Sequence, residues 1–425
     1  MNPDEPRSLL HVCVHGRPVA ILAAAGPRDY ELTYLDGAKE EIAPNLPIRK
    51  EPYTFDRLPK FLGCLLPREG RALQVAKQLG FDADDTLARV RHCLATENVG
   101  HITITPAIET LAASKGGFAF DGLSAMAPTP VAITATSLKS LEDPEIQAAL
   151  PHELSKKGGC TGAGGQFSKA FLRTPDGDYL LKHYPDFDSA SGKQCAEMEA
   201  ATMTAALACG LDAAPALAFG TILCSQRFDR PGAIKVTHLR ELTGEDLLYG
   251  GSYEKAVSEI SKIVPERQKE VVKQILFSWV VGDSDKHQEN MAVLDHGAGG
   301  KCLAPIYDAM PCRYIMADTE EMALTIAGKK SKLGWKVLAP FAAKAGISAN
   351  ELSTFLTDAA SAVRQHVLPV CPPAIQKMIN THLSIVEKTA GGQERGDIER
   401  ELARGLIGKA VSDDVSVSTG VAVVR

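Results

Sequence analysis

Asp285 and Asn290 stand five positions apart in Gly282-Asp283-Ser284-Asp285-Lys286-His287-Gln288-Glu289-Asn290, and Tyr307-Asp308 follows with its carboxylate eighteen residues beyond Asn290. Two carboxylates and one amide in this order could serve phosphoryl transfer from a metal-bound nucleotide. One Asp takes the proton of an acceptor hydroxyl, while an Asn and a second Asp hold magnesium. On this reading Asp285 is the base, and Asn290 and Asp308 are the metal ligands. Loops favour Asp and Asn without any chemistry, so the weight falls on Asp308. A carboxylate after Ala304-Pro305-Ile306-Tyr307 is costly unless a cation stands beside it. Asp283 is the second candidate for the base. His287 could be a base or a ligand, but reads better as a side chain that fixes the loop by hydrogen bonds. Lys286 could steady a transferring phosphate, but reads as a solvated lysine.

Upstream lies Lys156-Lys157-Gly158-Gly159-Cys160-Thr161-Gly162-Ala163-Gly164-Gly165-Gln166, in which five of the eight residues 158–165 are glycine. It fits neither GxxxxGK[ST] nor GxGxxG, and alone it could be a flexible linker. Its place directly before a hairpin would let its backbone amides wrap a phosphate. Lys182, within Leu180-Leu181-Lys182-His183-Tyr184, could point into a cleft and pair with phosphate oxygens; a solvent-facing lysine is the plainer alternative. Glu199 on the next helix could hold it by an ion pair. Glu197 and Glu199 do not share a helix face, so only one can do so. In Gln226-Arg227-Phe228-Asp229-Arg230 the backbone could bind an adenine and Phe228 could stack on it, or serve the core instead.

These residues need elements to position them. Residues 8–35 alternate as antiparallel strands, Arg71–Leu79 and Asp82–Ala95 read as helices, and His101–Pro106 as a closing strand. Residues 107–130 read as a linker, and Ser137–Leu150 as a helix. The hairpin pairs Phe167–Arg173 with Tyr179–Tyr184 around Thr174-Pro175-Asp176-Gly177-Asp178. Gln194–Cys209 is a helix with Met198, Ala201, Met203, Ala205, Ala206 and Leu207 inward, stopped by Gly210. Thr221–Phe228 is a strand. Pro265 opens a helix whose Val271, Val272, Ile275, Leu276, Trp279 and Val280 recur at helical spacing, and it delivers the chain into the 282–290 loop. Met291–Leu294 and Cys302–Tyr307 form a hairpin that returns Asp308 towards Asp285. Residues 331–389 read as helices. The expected organisation is a unit at 8–106, a lobe at 107–228, a helical lobe at 229–390 and a tail at 391–425.

With 425 residues, 45% hydrophobic and 23% charged, the composition is that of an ordinary multi-domain globular chain. A net charge of -6 argues against general attraction to nucleic acid or anionic lipid. The ten cysteines are scattered without a CxxC pair, which argues against structural zinc and for small buried thiols in a reducing cytoplasm. The first residues, MNPDEPRS, lack a secretion signal, and no apolar run is long enough to span a membrane.

The order of these segments resembles the HipA family of bacterial Ser/Thr kinases, the toxin half of HipA/HipB-type toxin–antitoxin systems, over about residues 8–385. The resemblance rests on Leu65-Leu66-Pro67 before a helix, Gly164-Gly165-Gln166-Phe167-Ser168-Lys169-Ala170, the Glu199 helix through Gly210-Leu211, Gln226-Arg227-Phe228-Asp229-Arg230, Asp285-x-His287-x-x-Asn290 and Tyr307-Asp308. It implies an α+β, bilobal protein-kinase-like fold with an N-terminal α+β subdomain and a mostly helical C-lobe. It also implies ATP and Mg2+ as cofactors. Asp285 would be the base, Asn290 and Asp308 metal ligands, and Lys182 the partner of the α- and β-phosphates. Gly162, Ala163, Gly164, Gly165, Gln226, Phe228 and His287 would complete the nucleotide site. Some family members phosphorylate a serine in the phosphate loop; Thr161 stands at the matching place. Glu289 replaces a residue that is commonly basic or small. The implied partners are a helix-turn-helix antitoxin of HipB type, DNA only through it, and a substrate of translation such as an aminoacyl-tRNA synthetase. Two other readings remain: a small-molecule kinase of aminoglycoside or choline type, and a kinase-like co-repressor without catalysis.

Overall fold

Alternating apolar residues fix the first sheet. In the computed structural model, β1 (Ser8–Val14), β2 (Arg17–Gly26), β3 (Asp29–Tyr34), β4 (Tyr53–Phe55) and β5 (Ile102–Pro106) are arranged β4-β3-β2-β1-β5, every neighbour antiparallel. The register sets Leu10 opposite Leu22 and Leu22 opposite Leu32, so one buried row crosses three strands. Helices α1 (Lys60–Gly63), α2 (Glu69–Leu79) and α3 (Thr86–Leu94) contribute Phe61, Leu62, Val75, Val90 and Leu94 to the same core. Gly80 ends α2 in the left-handed region. The structure describes residues 8–26, 29–82, 84–95, 98–106, 163–175, 177–230 and 234–394, with Leu141, Asp143, Gly232, Gly396, Asp397 and Arg400. The linker at 107–130, nearly all of the helix expected at 137–150, Thr161, Gly162 and residues 401–425 lie outside them.

A second antiparallel sheet, β6-β7-β9-β8, is built from β6 (Lys169–Thr174), β7 (Gly177–His183), β8 (Ala216–Phe219) and β9 (Ile222–Gln226). Its register aligns Lys169, Lys182 and Leu223 across three strands. Helix α4 (Gly192–Ala208) begins with a capping box between Ser191 and Gln194 and buries Met198, Glu199, Met203, Ala205 and Ala206. Leu207, expected inward, is 47% exposed, because the last turn of the helix opens to solvent. The strand expected over Thr221–Phe228 stops at Gln226. Arg227 turns away to pair with Asp229 at 3.0 and 2.7 Å. Asp229 also accepts from the Gly100 amide at 2.6 Å, and Arg227 donates to the Asn98 carbonyl at 2.9 Å. The Arg-Phe-Asp-Arg segment therefore ties the second sheet to the end of the first unit by buried, charge-assisted bonds.

The other lobe is mostly helical. Its central helix, α7 (Gln268–Val281), is buried on all sides along its carboxyl half, where every residue from Gln274 to Val281 is inside. Around it pack α6 (Tyr253–Ser261), α9 (Trp335–Lys344), α10 (Ala349–Ala362) and α11 (Pro373–Ala390) in one continuous core. A small sheet, β10-β11-β12, joins β10 (Lys235–His238), β11 (Ala292–Asp295) and β12 (Lys301–Leu303). After β12 the chain crosses back, bridging Ile306 to Ala213. Among the described residues no helix is long and apolar enough to cross a membrane. The whole is α+β and two-lobed, with the first unit packed beside it.

Gly282 caps α7 with φ +81°, and this reversal points the following loop into the space between the lobes. A Cβ there would stand 2.4 Å from the Tyr314 ring. Gly282→Ala should therefore destabilise the fold by more than the ~1–2 kcal/mol of a left-handed residue alone, seen as a lowered urea midpoint. A wild-type midpoint would contradict this account of the cap.

Candidate active site

Between the lobes lies a cleft of about 680 Å³, lined from the second sheet, the helical lobe and the first unit. A volume in this range suits a small-molecule ligand. Lys182, Glu199, Gln226, Phe228, Asp285, His287, Asn290 and Asp308 all line it, together with Ala163, Gly164 and Gly165. The sequence-derived candidates within the described residues thus come together at one place. Thr161 and Gly162 lie outside those residues.

Lys182 is the joint between lobes. Its Nζ donates to Glu199 Oε2 at 3.0 Å and to Asp308 Oδ1 at 2.5 Å. Tyr184 also donates to Glu199. Burial works against the ammonium, yet Asp308 and Glu199 outweigh it and hold its pKa well above the ordinary value. Asp308 shows the converse: burial raises its carboxyl, but Lys182 and Lys169 pull it well below the usual range. Its backbone is in the left-handed region, φ +52°, a strained conformation for a residue with a side chain. The expected pairing of Lys182 with Glu199 is present.

The 282–290 loop is fixed by its own polar groups. Asp283, wholly buried, accepts from the Asp285 amide at 3.0 Å and the Cys312 thiol at 3.2 Å. Burial pushes its carboxyl up to about 6. It does not line the cleft, whereas Asp285 does. Asp285 faces the cleft with 46% of its side chain exposed. Desolvation, with Asp283 and Asp308 adding repulsion, pushes it up to about 7. The Asn290 side-chain amide donates to the Asp285 carbonyl at 2.8 Å, which leaves Oδ1 as its remaining polar atom. His287 accepts from the Glu289 amide through Nδ1 at 3.2 Å, and burial lowers its pKa to about 3. A neutral histidine that orders the loop matches its hydrogen bonding.

Lys286 departs from its expectation. It is fully buried rather than solvated, and its Nζ has no hydrogen-bond partner among the described residues. It lies 5.8 Å from the centroid of the Tyr307 ring. Burial lowers its pKa to about 8 against the pull of Asp283 and Asp308. An apolar pattern placed α7 in the core, but nothing in the pattern revealed that the next loop turns one lysine inward.

The glycine segment is held by the first unit. Arg71 donates to the Ala163 carbonyl at 2.5 Å, and the Arg68 amide to the Gly165 carbonyl at 3.3 Å. A Cβ on Gly164 would meet the Cys64 carbonyl oxygen at 2.3 Å, so only glycine allows the approach. Lys169 donates to the Gly164 carbonyl at 2.7 Å, and burial lowers its pKa to about 8. Arg68 pairs with Glu289, which also takes Arg240 at 2.8 Å. Lys169, Arg68 and Arg71 were not singled out from the sequence. The Lys-Ala after the glycines was the one local signal for Lys169. Gln226 is exposed at the cleft edge, and the Phe228 ring packs 5.1 Å from that of Tyr307. Beside the cleft, Cys64, His238 and Glu241 bring their ligating atoms within 4.8 Å of one another, a grouping from two segments that no spacing motif announces.

Comparison with known proteins agrees with this architecture. Residues 10–105 match the model of the HipA N-terminal domain, and residues 161–367 that of the HipA-like C-terminal domain. The protein Y4mE of Sinorhizobium fredii, provisionally named a kinase, is 27% identical over 72% of this chain and 77% of its own length. Among solved structures, the chain is similar to one from the complex of the Shewanella oneidensis MR-1 toxin–antitoxin proteins HipA and HipB with operator DNA. That likeness has a TM-score of 0.59 at 16% identity and covers 92% of this chain and 99% of the other; it is one of fold.

If the Lys182 ammonium balances two carboxylates, Lys182→Met should cost about 3 kcal/mol, as expected when a buried ion pair loses one partner. Urea denaturation without nucleotide measures this. An unchanged midpoint would mean that the three groups are independent.

Proposed function

Since the chain belongs to the HipA family, we propose that it is an ATP- and Mg2+-dependent serine/threonine protein kinase. The observation that carries this reading is the convergence of Lys182, Asp285, Asn290 and Asp308 on one cleft, with Lys182 bridging Glu199 and Asp308. The donor set fits the implied group. The Asn290 amide oxygen and the Asp308 carboxylate are hard oxygen donors of the kind Mg2+ takes, and the second buried ammonium, Lys169, adds positive charge for phosphates. Such a cation, when bound, neutralises phosphate charge.

The protein's own residues would act as follows. Lys182, kept charged by Glu199, binds phosphate oxygens. The backbone at Ala163, Gly164 and Gly165, and at Gly162 before them, covers the phosphates. Gln226 and Phe228 bound the nucleoside end beside the apolar Val99, Phe171 and Leu180. Asp285 orients the acceptor hydroxyl and takes its proton. His287 orders the loop. We assign the helical lobe to about residues 229–390 and the glycine-bearing lobe to about 107–228.

The family and the relative crystallised with HipB and DNA support a toxin of a toxin–antitoxin pair, partnered by a helix-turn-helix antitoxin and reaching DNA through it. A translation protein such as an aminoacyl-tRNA synthetase is the substrate class that follows. The nine described cysteines are free, which supports a cytoplasmic setting. Thr161 remains a site of regulatory self-phosphorylation on the same analogy.

Transfer of labelled phosphate from ATP to protein should fall about 100-fold or more in Asp285→Asn, the scale of a lost general base. Equal rates would remove Asp285 from the chemistry. The base works when ionised and its carboxyl is raised to about 7 in the free protein. The specificity constant for acceptor protein should therefore rise about tenfold per pH unit below that value and level off above it. A flat profile from pH 5.5 to 8 would contradict the assignment.

A further inference from the structure

One carboxylate oxygen of Asp285 is already engaged in this structure. Tyr249 donates its hydroxyl to Asp285 Oδ1 at 2.5 Å, and its ring meets that of His287 edge-on at 5.3 Å. Tyr249 lies between α5 (Leu239–Thr243) and α6, in Asp246-Leu247-Leu248-Tyr249-Gly250-Gly251, and is 47% exposed. The loop does not lean there loosely. The Gln288 amide donates to the Leu248 carbonyl at 3.3 Å, and the Gln288 side chain donates to the Gly250 carbonyl at 2.8 Å. One residue of the 282–290 loop thus grips Tyr249 on both flanks. Thr243 donates to the same Gln288 side chain at 2.9 Å, which fixes its orientation.

A hydroxyl hydrogen-bonded to the proposed base, in the same cleft as Lys182 and Asp308, stands where a phosphate acceptor must stand. We infer that Tyr249 is an intramolecular phosphate acceptor of this site, so that the protein modifies its own tyrosine. This rests on the phosphotransfer reading above. In the step, Asp285 takes the Tyr249 proton while Oη bonds to the terminal phosphorus of the nucleoside triphosphate. The bond from that phosphorus to the bridging oxygen breaks, and the nucleoside diphosphate leaves with the electron pair. The product carries a phosphate dianion, and once Asp285 releases its proton to solvent the two negative groups repel, so the loop must swing out. Burial and Asp285 keep the Tyr249 hydroxyl protonated until transfer, with Arg68 acting weakly the other way. Until then, an outside hydroxyl must displace Tyr249 to reach the base.

The test has two arms. Purified full-length protein is incubated with Mg-ATP and mapped by peptide mass spectrometry, with ADP release recorded in parallel. Phosphate should appear on Tyr249, at a first-order rate unchanged by about tenfold dilution, and should be absent in Asp285→Asn. If the wild type releases ADP or labels other residues while Tyr249 stays unmodified, this inference falls and the kinase reading stands. If neither ADP nor label appears, both fall. A rate that scales with protein concentration overturns the intramolecular step. The second arm needs no nucleotide: with 13C-labelled tyrosine, the Tyr249 ring signal, assigned through Tyr249→Phe, should shift in Asp285→Asn. No shift would mean the two side chains do not meet.

Discussion

One buried ammonium organises the molecule. Lys182 on β7 sits between Glu199 from the helix beside its own sheet and Asp308 from the far lobe. A charge so enclosed is tolerable only when its partners are also in place, because each alone would pay for desolvation without recompense. Three segments distant in sequence are thereby made to agree on one geometry. The left-handed backbone at Asp308 is the local strain that this agreement sustains.

The same economy extends around the cleft. Burial raises Asp283 and Asp285 and lowers Lys169 and Lys286, so the titration ranges of these two acids and two amines approach one another, while the directly paired Lys182 and Asp308 are driven apart. Titratable groups shifted towards neutrality in one cleft are what the proposed phosphotransfer would draw on. The first unit is not an appendage to this. Arg71 holds the glycine segment, Arg68 holds Glu289 of the 282–290 loop, and the Arg227–Asp229 pair binds the segment after β9 to Asn98 and Gly100. Glycine at 164 is what lets the two backbones touch. Removing the first unit would therefore disturb the loops that line the cleft.

Much of this could be read from the chain. Period-two and period-3.6 patterns gave the strands of the first unit except β4, the hairpin around residue 177, the glutamate helix and the buried helix before Gly282. The order of Lys182, Glu199, Asp285, Asn290 and Asp308 gave the cleft. The rest depended on long-range packing. A lysine one position from Asp285 looks solvated until the turn after Gly282 is seen to point it inward. Arg227 and Asp229 look like part of a strand until their partners, more than a hundred residues earlier, are known. Tyr249 sits in a loop with no motif, and only the grip of Gln288 brings it to Asp285. Thr161 and Gly162 belong to a segment about which the described residues are silent.

The central claim is that Asn290 and Asp308 form with Lys182 one site for a metal-bound nucleotide. Calorimetric titration with a non-hydrolysable ATP analogue tests it most directly. The account predicts tight binding in the presence of Mg2+, much weaker binding after chelation, and loss of that Mg2+ dependence in Asp308→Asn. Equal affinity with and without Mg2+, or a Mg2+ dependence that survives Asp308→Asn, would contradict it.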